Sequence, residues 1–257
     1  MRNIRLTLAY DGSAYQGFQK QPHGKTIQNV LEEFLGKVCG EAVATYGSGR
    51  TDAGVHALGQ VVSFSTQGHI PCANLLRAAA TMLPEDIVLL EAEEVPEDFH
   101  ARYSACWKQY AYRICCVSQP SPFLAKYAWQ LPEQLELEKM NAAAGLLMGR
   151  HDFSAFRSSG SVDNDPVRTI FRAEWQRVDD GELRFVIAGD GFLYHMVRNL
   201  VWSLVQVGLG KRTQEEFAKE LASRRCSFLN APAPACGLYL ETVGYTPYVK
   251  TVTNLSK

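Results

Sequence analysis

Residues 42–66 read AVATYGSGRTDAGVHALGQVVSFST, and this stretch shows how the chain is built. Residues 42–46 and 59–66 are rich in β-branched and aromatic side chains, so they predict two strands. Glycines and polar residues fill the segment between them, which predicts a loop with one carboxylate, Asp52, near its middle. Loops on a rigid scaffold often carry reactive groups, so the stretch indicates a functional site presented by a sheet.

Two basic side chains flank Asp52 in this loop. Arg50 supplies a permanent cation with a planar set of donors, and His56 supplies a group that titrates near neutral pH. An ordinary surface turn, in which the aspartate binds its own backbone, fits the same spacing. The residues of the loop taken alone leave both interpretations open.

Strand and helix patterns recur in both parts of the chain. Further strands are predicted at residues 4–10, 87–92, 106–116, 167–175 and 183–187, and helices at residues 27–38, 73–83, 196–205 and 213–222. Thr26 has the position of a helix N-cap, and Thr213 with Glu216 has the pattern of a capping box. Because the elements do not alternate strictly, they favour an α+β protein with a mostly antiparallel sheet over a doubly wound fold.

Composition describes an ordinary water-soluble protein. The chain has 257 residues, of which 46% are hydrophobic and 21% charged. Its seven cysteines show no C-x-x-C spacing, so we expect reduced thiols in a cytoplasmic protein rather than a zinc site or disulfides. The N-terminus begins directly with a strand pattern, and no apolar run is long enough for a membrane helix.

The net charge of −1 gives no direct sign of a nucleic-acid partner. Basic residues are nevertheless grouped along the chain, at Arg150, Arg157, Arg168 and Arg172, and at Lys211, Arg212, Lys219, Arg224 and Arg225. Such grouping permits a basic cleft on a neutral protein, and solvated helix and loop faces explain it equally well.

Six segments resemble the TruA family of tRNA pseudouridine synthases, in the family's order and over nearly the whole chain. They are residues 8–19 (LAYDGSAYQGFQ), 49–57 (GRTDAGVHA), 108–112 (KQYAY), 149–153 (GRHDF), 192–199 (FLYHMVRN) and 237–240 (GLYL). Members of this family are isomerases, intramolecular transferases that detach uracil from its ribose and rejoin it through carbon. The compact length resembles the bacterial enzyme that acts on positions 38 to 40 of the tRNA anticodon arm, and a broader eukaryotic relative is the alternative.

The resemblance implies two related halves that share a continuous sheet, with flanking helices and a central cleft. We divide the chain into an N-terminal half at residues 1–104, which carries the Asp52 loop, and a C-terminal half at residues 105–257. It also implies a homodimer with tRNA as its partner.

By the same resemblance, Asp52 is the nucleophile and Arg198 is its partner cation. Tyr110 is the aromatic residue for a flipped base, although Tyr112 lies on the same strand face and could be mistaken for it. Leu238, with Leu240, is expected in the apolar wall around the base, and Arg50 is a candidate for contacting RNA. The attack of Asp52 on C6 or on C1′, and its assistance to a proton shift at C2′, remain open.

Two other classes of protein share some of these features. An RNA-binding module would use the basic and aromatic surfaces but has no need of a carboxylate beside phosphates. A metal-dependent hydrolase could use Asp52 and His56 as ligands, but two candidates are too few. The glycine-rich segments lack a nucleotide-binding pattern, so we expect neither a cofactor nor a metal.

Overall fold

The structure is a computed structural model that describes residues 1–158, 165–179, 181–225 and 231–249. Its ten strands are β1 (Arg2–Tyr10), β2 (Thr45–Gly47), β3 (His56–Thr66), β4 (Ile87–Val95), β5 (Trp107–Cys116), β6 (Trp129–Leu131), β7 (Gly149–Asp152), β8 (Val167–Asp179), β9 (Glu182–Gly189) and β10 (Leu238–Gly244). Its five α-helices are α1 (Ile27–Cys39), α2 (Cys72–Met82), α3 (Leu137–Gly145), α4 (Met196–Gly208) and α5 (Gln214–Ser223).

All ten strands form one sheet in the order β4-β1-β3-β10-β5-β9-β8-β7, with β2 paired to β3 and β6 paired to β5. The pairings are antiparallel apart from β3 with β10 and β5 with β6. The α+β class and the mostly antiparallel sheet are therefore confirmed. β10 comes last in the chain but lies between β3 and β5, so it connects the strands of the N-terminal part to those of the C-terminal part.

The hydrophobic pattern explains the elements of the N-terminal part. Ile4, Leu6 and Leu8 alternate along β1 and are fully buried, as a strand with one face on the core requires. The Thr26 hydroxyl accepts a hydrogen bond from the amide of Asn29 at 3.2 Å, and this N-cap starts α1. Helix α2 packs on β4 and against α1, whereas α3, α4 and α5 pack together, with α3 on β8.

Helix α4 is the most deeply buried helix of the C-terminal part, with ten of its residues inside the core. The predicted capping box is present at α5, where the side chains of Thr213 and Glu216 bond each other's backbone amides. No helix among the described residues is long and apolar enough to cross a lipid bilayer.

Several boundaries differ from the sequence-based expectation. β2 begins only at Thr45, and β3 begins at His56, three residues before the predicted start. Strands β6, β7 and β10 and helix α3 were not predicted. Strands β6 and β7 are too short to give a clear periodicity. The N-cap residue of α3, Glu136, makes no side-chain cap, so the start of this helix has no sequence signal.

Candidate active site

Asp52 lies on the loop of residues 48–55, which joins β2 to β3 as predicted; we call it the Asp52 loop. The loop turns at Asp52, where the amide of Val55 donates to the Asp52 carbonyl at 3.1 Å. Gly54 completes this turn with φ of 77°, a backbone conformation that favours glycine.

Hydrogen bonds from the sheet hold the part of the Asp52 loop that precedes the aspartate. Gln60 on β3 donates from Nε2 to the carbonyl of Gly49 at 2.9 Å and accepts from the Ser48 hydroxyl at 2.6 Å. The hydroxyls of Tyr10 and Thr51 lie 2.8 Å apart in the buried interior. Because these partners are themselves buried, the loop is fixed before any substrate binds.

Two side chains from the start of α4 meet the carboxylate of Asp52. Arg198 Nη1 lies 3.0 Å from Asp52 Oδ2, and His195 Nε2 lies 3.3 Å from the same oxygen. Arg198 also donates from Nε to the carbonyl of Ala233 at 2.6 Å. The predicted pairing of Asp52 with Arg198, across 146 positions of sequence, is therefore present in the structure.

His195 was not singled out by the sequence, although it lies within one of the segments that carried the resemblance. It is three residues before Arg198, the spacing at which two side chains share a helix face, and that spacing was the available signal. Its backbone has φ of 61°, which is unusual outside glycine. The fold thus holds His195 in an uncommon conformation beside Asp52.

A chain of hydrogen bonds sets the orientation of the His195 ring. Asn199 Nδ2 donates to the Phe156 carbonyl at 2.8 Å and lies 3.4 Å from Ser158 Oγ, which in turn lies 3.0 Å from His195 Nδ1. If Ser158 donates to Nδ1, the ring proton is on Nε2 and faces Asp52. Burial lowers the pKa of His195, the Asp52 carboxylate opposes this, and the Arg198 charge lowers it further.

Tyr110 and Tyr112 are both buried on β5, but their hydroxyls have different surroundings. The Tyr112 hydroxyl donates to the Pro234 carbonyl at 2.7 Å, so this residue has a structural partner. The Tyr110 hydroxyl makes no hydrogen bond within the described residues, and its ring packs edge to face with Phe192 with centroids 5.2 Å apart. Burial raises the pKa of Tyr110, and the nearby carboxylate of Asp52 contributes to that rise.

Strand β10 places two buried leucines opposite these tyrosines. In the register of β5 with β10, Leu238 pairs with Tyr112 and Leu240 pairs with Tyr110. Leu238 therefore belongs to the apolar layer under the site, but Leu240 is the cross-strand neighbour of Tyr110. Arg50, next to Asp52 in the loop, is exposed and has no partner among the described residues.

His56 does not take the place beside Asp52 that its sequence position suggested. It is the first residue of β3, and its Nδ1 lies 3.2 Å from Asp11 Oδ1 while its Nε2 lies 2.9 Å from the Lys126 carbonyl. Its ring stacks on Tyr239 at 4.7 Å, and burial lowers its pKa. Since both nitrogens are engaged elsewhere, His56 cannot share a metal ion with Asp52.

The grouped basic residues have mixed surroundings. Arg212 is buried and paired with Glu220, Arg172 pairs with Glu174, and Arg224 pairs with Asp152. These three arginines already have carboxylate partners, so they give little support to the predicted basic cleft. No group of three or more potential metal ligands occurs in the part of the chain that the structure describes.

Comparison with known proteins agrees with these features. The tRNA pseudouridine synthase family profile matches residues 7–104 and 143–246. A tRNA pseudouridine synthase A of Acetivibrio thermocellus is 46% identical over 245 residues, which cover 95% of this chain and 100% of that protein. Proteins of the same name from Lacticaseibacillus casei and Syntrophotalea carbinolica are 44% and 43% identical, over 95% and 96% of this chain and 100% and 98% of their own lengths.

Proposed function

Because the chain belongs to the tRNA pseudouridine synthase family and is an isomerase acting on tRNA, we propose that it converts uridine to pseudouridine at positions 38 to 40 of the anticodon arm, with Asp52 as the nucleophile. The observation that carries this proposal is the placement of the Asp52 carboxylate between Arg198 and His195 on a braced loop. We propose that the family's catalytic roles belong to these residues of the chain.

The reaction requires that uracil leaves C1′, turns, and forms a new bond from C5 to C1′ without escaping. A carboxylate is ionised at neutral pH, so Asp52 needs no base to act as a nucleophile; it needs a fixed position. Arg198 and His195 both reach Oδ2, which leaves Oδ1 as the oxygen to face the substrate. Attack at C6, attack at C1′ and a proton shift at C2′ all begin from this arrangement.

Tyr110 is proposed to contact the flipped uracil. A base that leaves the stack loses its neighbours, and an aromatic ring restores about 1–3 kcal/mol per base. The hydroxyl of Tyr110 is unused within the described residues, whereas that of Tyr112 is bonded to Pro234. This difference supports Tyr110 over Tyr112. Leu238 and Leu240 would form the apolar wall, and Arg50 would contact a phosphate.

Three further expectations accompany this function. The division into halves at residues 1–104 and 105–257 is proposed because Asp52 comes from the first and Arg198 from the second. A homodimer is proposed from the resemblance, and static light scattering on the active preparation gives its mass. We also propose that the enzyme is cytoplasmic, in keeping with a tRNA substrate, and that it needs no metal or organic cofactor, because Asp52 and Arg198 supply a nucleophile and a cation.

The test is Asp52→Asn, which keeps the size of the side chain and removes its negative charge. We expect this variant to form no pseudouridine while its affinity for tRNA is unchanged or slightly higher, because the charge acts only in the chemical step and opposes phosphates. The product is detected by carbodiimide adducts at the target uridines, and affinity by filter binding. Asp98→Asn, the same change at an exposed carboxylate, is the control.

Each outcome has a clear meaning. Conversion by Asp52→Asn at a rate near that of the parent would show that Asp52 is not the nucleophile. Adducts at uridines outside positions 38 to 40, mapped on bulk tRNA from a deletion strain after complementation, would contradict the proposed specificity. Binding of tRNA without any product from the parent protein would favour the RNA-binding module.

A further inference from the structure

Two exposed tyrosine rings, with the half-buried ring of His100 between them, form a continuous surface at the N-terminal side of the Asp52 loop; we call it the aromatic rim. It consists of Tyr46, His100 and Tyr103, with ring centroids of Tyr46 and His100 5.1 Å apart and those of His100 and Tyr103 4.4 Å apart. Tyr46 is 53% exposed and Tyr103 is 77% exposed. Exposed aromatic rings that adjoin one another mark a binding surface, whereas a single exposed ring does not.

The aromatic rim is held rigidly in this exposed state. The amides of Arg102 and Tyr103 donate to His100 Nδ1 at 3.1 and 3.4 Å, which fixes the His100 ring inside its own turn. The amide of Ala101 donates to the Ser63 hydroxyl at 3.0 Å, and Ser63 is the strand partner of Tyr46 on β2. Both sides of the rim are therefore anchored to β3, and little order has to be gained on binding.

Two cations lie at the aromatic rim without carboxylate partners in the described residues. The Arg102 guanidinium is positioned over the Tyr103 ring, 5.8 Å from its centroid. Lys108 on β5 is partly buried; this burial lowers its pKa to about 8, and the charges of Arg102 and Arg168 contribute. Cations that repel one another and have no counter-charge form a site for an anion.

Lys108 connects the aromatic rim to the Asp52 loop. Its Nζ lies 3.4 Å from the position that a Cβ atom on Gly49 would occupy. It precedes Tyr110 by two residues, so the two side chains share a face of β5. Tyr46 is six residues before Asp52, which limits their separation to about 20 Å. The rim is thus within a few nucleotides of the target position.

We propose that the aromatic rim, together with Arg102 and Lys108, binds an unpaired nucleotide of the tRNA next to the target uridine. The base stacks on Tyr103, the more exposed of the two tyrosine rings, and Arg102 and Lys108 bind the phosphates on either side of it. Single-stranded RNA is recognised by this combination of aromatic faces and unpaired cations. The inference rests on the proposed function only in taking the Asp52 loop as the place of reaction.

The experiment compares Tyr103→Ala with Tyr103→Phe and with Phe123→Ala, using transcribed tRNA. Phe123 is 86% exposed and lies outside the aromatic rim, so it is a matched control. We expect Tyr103→Ala to raise both Kd and KM about 5- to 150-fold, because a stacking contact is lost. Its kcat should be unchanged, because the stacked base takes no part in the chemical step. Tyr103→Phe keeps the ring and should stay within about twofold of the parent.

The cations are tested by the salt dependence of binding. Arg102→Met and Lys108→Met should each reduce the slope of log Kd against log salt by about 0.7 to 0.9, the loss of one phosphate contact. Lys108→Arg should keep the slope of the parent. The same titrations on Phe123→Ala give the reference slope.

Several results would overturn the proposal. Equal Kd values for Tyr103→Ala and Phe123→Ala would show that the aromatic rim does not touch RNA. A change in light-scattering mass on Tyr103→Ala would make the rim an interface between two copies of the chain. These outcomes are independent of Asp52→Asn, since that variant reports the chemical step and these variants report binding.

Discussion

The substitution Arg198→Lys tests how the Asp52 carboxylate is held. Arg198 donates from Nη1 to Asp52 and from Nε to the Ala233 carbonyl, so one planar group makes both bonds. The side chains of Arg198 and Asp52 are only 13% and 24% exposed, and water screens their attraction weakly. Lysine keeps the charge but lacks the fork, so its single ammonium cannot reproduce both contacts.

The expected magnitude follows from the geometry. Two unit charges 3.0 Å apart attract by about 5 kcal/mol at an effective dielectric constant near 20, before the cost of their desolvation. A hydrogen bond to a charged group contributes about 1.5–3 kcal/mol net. If this interaction serves the transition state, Arg198→Lys lowers kcat about 10- to 150-fold. Single-turnover pseudouridine formation at saturating enzyme measures it without a contribution from binding.

A matched control is available on the other face of the sheet. Arg184 pairs with Glu241, and by strand alternation its side chain lies on the face opposite to Tyr110. Arg184→Lys makes the same chemical change there and should leave the rate unchanged. If Arg198→Lys turns over within about threefold of the parent, or if both variants lose activity equally, the ion pair does not position Asp52 and the reasoning is wrong.

Two other predictions follow from the same site and its surroundings. Tyr110→Leu should lower kcat about 5- to 150-fold, as expected for the loss of about 1–3 kcal/mol of contact with the base. Tyr112→Phe should cost only about 1 kcal/mol of stability, and equal losses of kcat would contradict the assignment of Tyr110. Burial lowers the pKa of His56 in the folded state. Below pH of about 6.5, the histidine of the unfolded chain therefore binds a proton that the folded chain does not accept. The contribution of neutral His56 to stability is therefore present above that pH and is lost as the pH falls below it. Urea denaturation should show that the free energy of unfolding falls by up to about 1.4 kcal/mol for each unit by which the pH is lowered. A His56→Gln variant with an equally steep fall would refute this.

The sequence predicted the position of Asp52 well because the signal was local. Two strand patterns enclose a glycine-rich loop, and a loop between paired strands has little freedom in where its residues lie. The pairing of Arg198 with Asp52 could not be predicted from a local pattern. The two residues are 146 positions apart, and nothing in the sequence between them indicates that the start of α4 lies beside the Asp52 loop. Only the resemblance to a family supplied that contact.

His56 and His195 show why the rest could not be predicted from local pattern. Four positions separate Asp52 from His56, yet the start of β3 turns the histidine toward Asp11 and Tyr239. His195 is distant in sequence and reaches Asp52 through a left-handed backbone conformation, which is uncommon outside glycine. Contacts of this kind depend on how α4 packs against the rest of the protein, and the periodicity of one segment does not indicate that packing.

Strand β10 has a consequence for how the protein folds. It is supplied by residues 238–244 but completes the centre of the sheet, where β3 and β5 would otherwise present unpaired edges. Until those residues are available, the parts of the two edges that β2 and β6 do not cover have no neighbour, and such edges pair readily with other chains. Contacts of this long range also form slowly. The strand that pairs with Tyr110 therefore joins the sheet late, after most of the chain has been synthesised. Chains that stop before β10 should aggregate rather than act on tRNA.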